Sequence, residues 1–334
     1  MSRLLVAMAV CAATVAAGCG EKQESSRGDS EPLTLALDFY VNPDHAGIYT
    51  ALARGYFDEA GLEVDPQVPS DPSAPIRQVA AGRADLAISY EPEVVLARDQ
   101  GLPVVAVASL VSRPLTSLIS LPEAGISRPA DLAGKTVATA GIPYQAAYLD
   151  AILNRAGVDP GDVDQVDVGL NLLPAVLSGR ADAMLGGFLN IEGVDLAARG
   201  KHPRVVPVDR LGIPTYDELV LVADSDRIAD DPEPVRLFIA ALERGTEAAV
   251  RDPAGATQAI LAADNGLDPK LTRSEVARTL PLLLPEQGGR PFGYMSAREW
   301  EDFAGFFADH GLTSTRPSAA ELMTDSLLPG RVPN

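Results

Sequence analysis

The chain has 334 residues, 46% of them hydrophobic, and a formal net charge of −19. That length and apolar content suffice for two lobes with real cores. The acidic balance excludes nucleic acid and an anionic membrane surface as partners, since each needs a basic face.

Ser2 and Arg3 give a short positive start, and residues 4–17 are apolar but too few to span a bilayer. The run closes on Ala16-Ala17-Gly18-Cys19, which resembles a bacterial lipoprotein cleavage site, although Ala16 stands where such sites usually carry Leu. Residues 1–18 therefore read as a signal peptide and Cys19 as the lipidated N-terminus. An ordinary secretory cleavage nearby is the alternative. Cys11 lies in the removed segment, so the mature chain keeps only Cys19 and has no disulfide and no Cys-based metal site. Residues 20–31 (GEKQESSRGDSE) are polar, so 19–31 reads as a flexible tether. The expected localisation is the cell membrane, lipid-anchored and extracytoplasmic.

Beyond the tether a unit recurs: apolar strand, short turn, Pro, helix, Gly. Residues 33–37 predict a strand. Asn42 then caps a helix with Pro43 in its first turn, running to Gly55. A strand over 84–89 precedes Pro92 and a helix ending near Gly101. Strands follow over 104–110 and 116–121. A strand over 135–140 leads to Pro143 and a helix over 145–156 that stops at Gly157. A strand over 181–185 leads to a helix over 190–199 that stops at Gly200. Residues 218–223 predict a strand returning to the first lobe. After it come helices only, over 234–251, 254–263, 271–284, 296–310 and 319–328. This alternation implies α/β lobes, each a doubly wound, mostly parallel sheet.

The string Gly-Arg-Ala-Asp occurs twice, at residues 82–85 and 179–182, each time between a short helix and a small apolar strand. The spacing of roughly a hundred residues is too long for a solenoid repeat. It suits two lobes of similar build with a ligand cleft between them. Arg83 and Arg180 read as surface or structural residues. With crossings near 113–118 and 212–216, lobe one comprises 32–115 and 217–334, and lobe two comprises 116–216.

In open α/β sheets the ligand sits beyond the carboxyl ends of the strands. The loops there span 38–49, 89–94, 139–148, 186–195 and 213–219. They hold Tyr40, Tyr49, Tyr90, Tyr144, Tyr148 and Tyr216, six of the chain's eight Tyr, with Phe39 and Phe188. They contain Asp38, Asp44, Glu91, Glu93, Glu192, Asp195, Asp217 and Glu218, but no Lys and no Arg. A site for nitrate, sulfonate or phosphate wants a cation. This one offers rings to a flat heterocycle and acceptors to its amine or hydroxyl groups. The expected ligand is a neutral or weakly basic aromatic ring. Asp38, Phe39, Asn42, His45, Tyr90, Glu91, Tyr144, Phe188, Asn190, Tyr216 and Glu218 are the candidate contacts. Tyr49 shares a helix face with Ile48 and Leu52, which fits the core equally well.

Residues 35–49 (LALDFYVNPDHAGIY) and 53–64 (ARGYFDEAGLEV) resemble the start of type II periplasmic binding proteins that take up thiamine pyrimidine precursors, the family shared with the fungal pyrimidine synthases. Residues 212–220 (GIPTYDELV), and Glu299, Trp300, Phe303, Phe306, Gly311 and Leu312, are similar to later segments of that family. The resemblance implies a two-lobed receptor for an aminopyrimidine, with an ABC permease and ATPase as partners, and it favours Asp38, Asn42, His45, Tyr90, Glu91, Tyr144, Tyr216 and Glu218 as pocket residues. Some relatives carry Trp where Phe39 stands. Relatives in the wider family bind riboflavin, sulfonates such as taurine, or other small solutes. The fungal synthases use a lysine-bound pyridoxal phosphate and a Cys-containing iron site. Here Lys22, Lys135, Lys201 and Lys270 all fall outside the pocket loops. A monomeric binding protein without cofactor or metal is expected rather than an enzyme, and a lipid-anchored ligand sensor is the remaining alternative.

Overall fold

The computed structural model describes residues 30–284 and 290–330. The expected signal peptide, Cys19 and nearly all of the tether lie outside the described residues. Among those described, ten strands form two sheets: β1 (Glu31–Ala36), β2 (Leu62–Gln67), β3 (Leu86–Ser89), β4 (Val104–Val111), β5 (Thr116–Ser120), β6 (Thr136–Thr139), β7 (Asp164–Asp167), β8 (Ala183–Phe188), β9 (Arg204–Pro207) and β10 (Leu219–Asp224). The first sheet has the order β2-β1-β3-β10-β4 and the second β7-β6-β8-β5-β9.

The two sheets are the same sheet built twice. In each, the first strand pairs in parallel with both neighbours, β1 with β2 and β3, and β6 with β7 and β8. In each, the fourth strand is antiparallel to both of its neighbours, β10 to β3 and β4, and β5 to β8 and β9. Four of the five strands in each sheet thus run the same way, as the alternation predicts, and one runs against them, which the crossings explain. The chain leaves the carboxyl end of β4 at Val111 and starts β5 at Thr116, at the same end of the other sheet. A strand that enters at the carboxyl end must run against its neighbours.

The Gly-Arg-Ala-Asp repeat registers these sheets. Gly82 and Gly179 take φ of 64° and 72° and end their helices in the left-handed conformation that glycine tolerates. Asp85 then accepts from the Thr34 N–H at 2.7 Å and returns its own N–H to the Thr34 carbonyl at 3.0 Å. Asp182 makes the same pair with Thr136, both at 2.9 Å. Arg83 and Arg180 are exposed.

Three strands escape the sequence pattern, namely β2, β7 and β9. All lie at sheet edges, and each carries exposed or partly exposed residues. The last expected helix shrinks to Ala319–Leu322. Helix Glu233–Arg251 crosses helix Ala46–Ala53 so closely that a Cβ on Gly245 would overlap the Gly47 carbonyl and lie 2.6 Å from Ala51 Cβ. That contact fixes the Asp38–His45 loop above the first sheet.

Candidate ligand cleft

A small cavity lies between the carboxyl ends of the two sheets. The first sheet's loops contribute Asp38, Phe39, Asn42 and Tyr90. The second sheet's loops contribute Ala140, Ile142, Tyr144, Gln145, Gly186, Phe188, Ile191 and Glu192. None of these is Lys, Arg or Cys. A larger groove of about 790 Å³ sits beside Glu31, Asp85 and Arg227, at the opposite end of the first sheet.

Asn42 is the N-cap of a single 3-10 turn, Pro43–His45, and its side chain accepts from the Asp44 N–H at 2.8 Å. The turn aims His45 back at the strand end. Its Nδ1 accepts a long 3.4 Å bond from the Asn42 N–H, so Nε2 carries the proton and donates to Asp38 Oδ1 at 2.8 Å. The other Asp38 oxygen accepts from the Tyr90 hydroxyl at 2.9 Å. A carboxylate held from both sides is fixed in place and keeps lone pairs for a ligand donor.

The aromatic residues form a walled set. Tyr90 meets Tyr144 at 5.8 Å and Phe188 at 6.4 Å between ring centroids, both edge to face. Glu192 opens the helix Glu192–Ala198 and accepts from the Phe188 N–H at 2.7 Å and from the Tyr40 hydroxyl. Burial pushes its carboxyl up to about 7. Gln145 Oε1 accepts from the Ala140 N–H at 2.8 Å, leaving the amide nitrogen beside Gly186. Gly186 sits at φ 116°, and a Cβ there would overlap that amide.

Of the expected contacts, Asp38, Phe39, Asn42, Tyr90, Tyr144 and Phe188 line the cavity, with His45 fully buried behind Asp38. Four others are directed elsewhere. Glu218 Oε2 accepts from the Leu115 N–H at 2.6 Å, the Thr116 N–H at 2.7 Å and the Tyr216 hydroxyl at 3.0 Å. Its Oε1 accepts from the Thr116 hydroxyl at 2.8 Å. The carboxylate thus ties the two inter-lobe crossings together, and Tyr216 leaves the cleft to pack on Phe303 at 5.1 Å. Glu91 Oε2 accepts from the Asp217 N–H at 2.6 Å, joining the helix Glu91–Asp99 to the return crossing. Asn190 bridges the lobes, its Nδ2 donating to Asp44 Oδ1 and to Thr279 Oγ1, both at 2.8 Å. In all these cases a crossing or junction leaves donors or acceptors that a long polar side chain must satisfy. Cys19 lies outside the described residues.

Glu192 and Gln145 were not among the candidates. Glu192 belongs to the pocket-loop carboxylates, and its place at a helix start was the available signal. Gln145 gave none.

Two α/β lobes with a cleft at the carboxyl ends of both sheets define the periplasmic binding protein fold. The alkanesulfonate-binding protein SsuA from Xanthomonas axonopodis pv. citri, bound to MOPS, aligns with a TM-score of 0.69 over 88% of this chain and 98% of that one, at 17% identity. Residues 42–256 match the family described as NMT1/THI5 like, and the chain belongs to that family. It is 36% identical to a formylaminopyrimidine-binding protein of Halalkalibacterium halodurans over 297 residues, covering 88% of this chain and 90% of that protein. It is 28% identical to a 4-amino-5-hydroxymethyl-2-methylpyrimidine phosphate synthase of Aspergillus parasiticus over 238 residues, covering 68% and 69%.

A Schiff-base cofactor does not fit the cleft. Such a group needs an amine. Lys135 pairs with Asp182 at 3.8 Å, Lys201 lies 4.0 Å from Glu123, and Lys270 starts the helix Pro269–Thr279. Lys22 is outside the described residues.

Proposed function

We propose that this protein is an extracytoplasmic solute-binding lipoprotein of an ABC importer that captures a pyrimidine precursor of thiamine, of the formylaminopyrimidine or hydroxymethylpyrimidine type. The observation that carries this reading is a cleft walled by Tyr90, Tyr144 and Phe188, supplied with acceptors by Asp38 and Glu192, and lined by no cation. It stands in a chain 36% identical to a formylaminopyrimidine-binding protein. A flat ring fits between aromatic walls, and its exocyclic amine donates to a carboxylate. A sulfonate or nitrate would meet Asp38 and Glu192 with nothing to neutralise it.

The lobes, 32–115 with 217–334 and 116–216, close on the ligand about the crossings that Glu218 ties. Cys19 carries the lipid, and a permease with its ATPase takes the cargo. Calorimetric titration against 4-amino-5-hydroxymethyl-2-methylpyrimidine, its formylamino relative, thiamine, riboflavin, taurine and nitrate tests the cargo. The pyrimidines bind and the anions do not. Tight binding of taurine, nitrate or riboflavin with none of the pyrimidines overturns the assignment. Replacing Cys19 by Ala moves the protein to the soluble fraction, and an unchanged membrane fraction refutes the anchor.

A further inference from the structure

We propose that closing the cleft takes up a proton from solvent, held where Glu275 of the first lobe meets Glu192 and Asp195 of the second, so that ligand capture tightens as pH falls. The inference rests on the reading above that the lobes close on a ligand.

Helix Pro269–Thr279 packs against helix Glu192–Ala198, whose first residue lines the cleft. At this seam Glu275, Glu192 and Asp195 are 7%, 6% and 8% exposed. Three carboxylates from opposite lobes are therefore buried together. Asp195 is answered by the Arg199 guanidinium, which grips both of its oxygens. Glu192 has the Phe188 N–H and the Tyr40 hydroxyl. For Glu275 the neighbours that act on its charge are Asp195 and Glu192, both negative. Arg278, on the same helix, lines an exposed groove with Lys201 and His202. Beside this seam Asn190 links Asp44 to Thr279, and the charges that act on Asp44 are Asp38, Glu192 and Glu218, again all acidic.

Burial, reinforced by Asp195 and Glu192, pushes Glu275 up to about 8, and burial raises Asp44 well above the usual carboxylate range. Separating the lobes returns Glu275 to water and to its ordinary value of 4.5. The closed state then holds a proton that the open state releases. By linkage its advantage is complete below the open-state value and fades as pH rises toward 8.

The test uses full-length protein in detergent, with 4-amino-5-hydroxymethyl-2-methylpyrimidine as probe. Calorimetry in phosphate and in Tris, whose ionisation heats differ, counts protons taken up per probe bound. Near pH 7 wild type takes up protons, and its Kd rises by up to roughly tenfold per pH unit between pH 6 and 8. Glu275→Gln takes up fewer, has a flatter profile and binds the probe more tightly than wild type at pH 8. The probe's own ring titrates alike in both proteins, so the difference belongs to the protein. Equal proton counts and parallel profiles overturn the proposal. If the probe does not bind, the assigned cargo is wrong, and small-angle scattering of the free protein decides the linkage. A radius of gyration smaller at pH 6 than at pH 8 in wild type, and constant in Glu275→Gln, supports it. A radius independent of pH in wild type refutes it.

Discussion

Replacing Glu218 by Ala separates a hinge role from a ligand role. Four donors converge on this fully buried carboxylate: the Leu115 and Thr116 N–H groups and the Thr116 and Tyr216 hydroxyls. The hydroxyls can rotate to other partners, but the two backbone N–H groups cannot. Each orphaned N–H costs about 1–3 kcal/mol, so Glu218→Ala destabilises the fold by about 2–6 kcal/mol. Glu218→Gln costs only about 1 kcal/mol near neutral pH, because its oxygen can take both N–H groups and its amide can donate to the Thr116 hydroxyl. Burial holds the Glu218 carboxyl up at about 7, against an ordinary 4.5. The folded state therefore keeps a proton that the unfolded chain loses. Stability from this group is complete below about pH 4.5 and is lost as pH climbs to about 7. The gap between wild type and Glu218→Gln narrows across that window by at most about 1.4 kcal/mol per pH unit. Urea unfolding followed by fluorescence of the single tryptophan reads all of this, since Trp300 Nε1 donates to Asp217 Oδ2 at 2.7 Å, next to the tie. Unfolding of Glu218→Ala within 1 kcal/mol of wild type, or a full loss of probe binding in Glu218→Gln with stability intact, refutes the hinge reasoning.

Tyr90→Phe keeps the ring but removes the donor to Asp38 Oδ2, and is expected to weaken pyrimidine binding by about 1–2 kcal/mol in calorimetry. Tyr90→Ala also loses the wall against Tyr144 and Phe188, and is expected to weaken it by about 1–3 kcal/mol more. Gly186→Ala puts a Cβ into the Gln145 amide at φ 116°, which lowers stability by about 1–3 kcal/mol in urea titration and displaces a cavity wall. Asp85→Ala and Asp182→Ala each remove a side-chain bond to a strand N–H, and thermal unfolding should show matching losses of about 1 kcal/mol.

Most strands and helices were legible in the sequence because their signals are local. Apolar runs, Pro at helix starts and Gly at helix ends act within a few residues, and they gave the alternation from β1 through β10. The chemistry of the cleft was legible for a related reason. Loops at the carboxyl ends of strands can be named once the strands are placed, and those loops hold Tyr and carboxylates without Lys or Arg. Of the edge strands, β7 and β9 are only four residues long and left little trace, while β2 alternates buried Leu62 and Val64 with exposed Glu63 and Asp65 over a stretch that Pro66 cuts short. The antiparallel entry of β5 and β10 follows from the crossings between sheets, which no local pattern encodes. The same limit applied to the site. Sequence could place Glu91, Glu192 and Glu218 near the cleft but could not say which of them faces it. Glu218 is claimed by backbone N–H groups 103 and 102 positions away, and Glu91 by one 126 positions away. Glu192 bonds Phe188, four residues off on its own loop, and so remains in the cavity wall. A buried donor must be paired, and which donors become buried is decided only when distant segments pack.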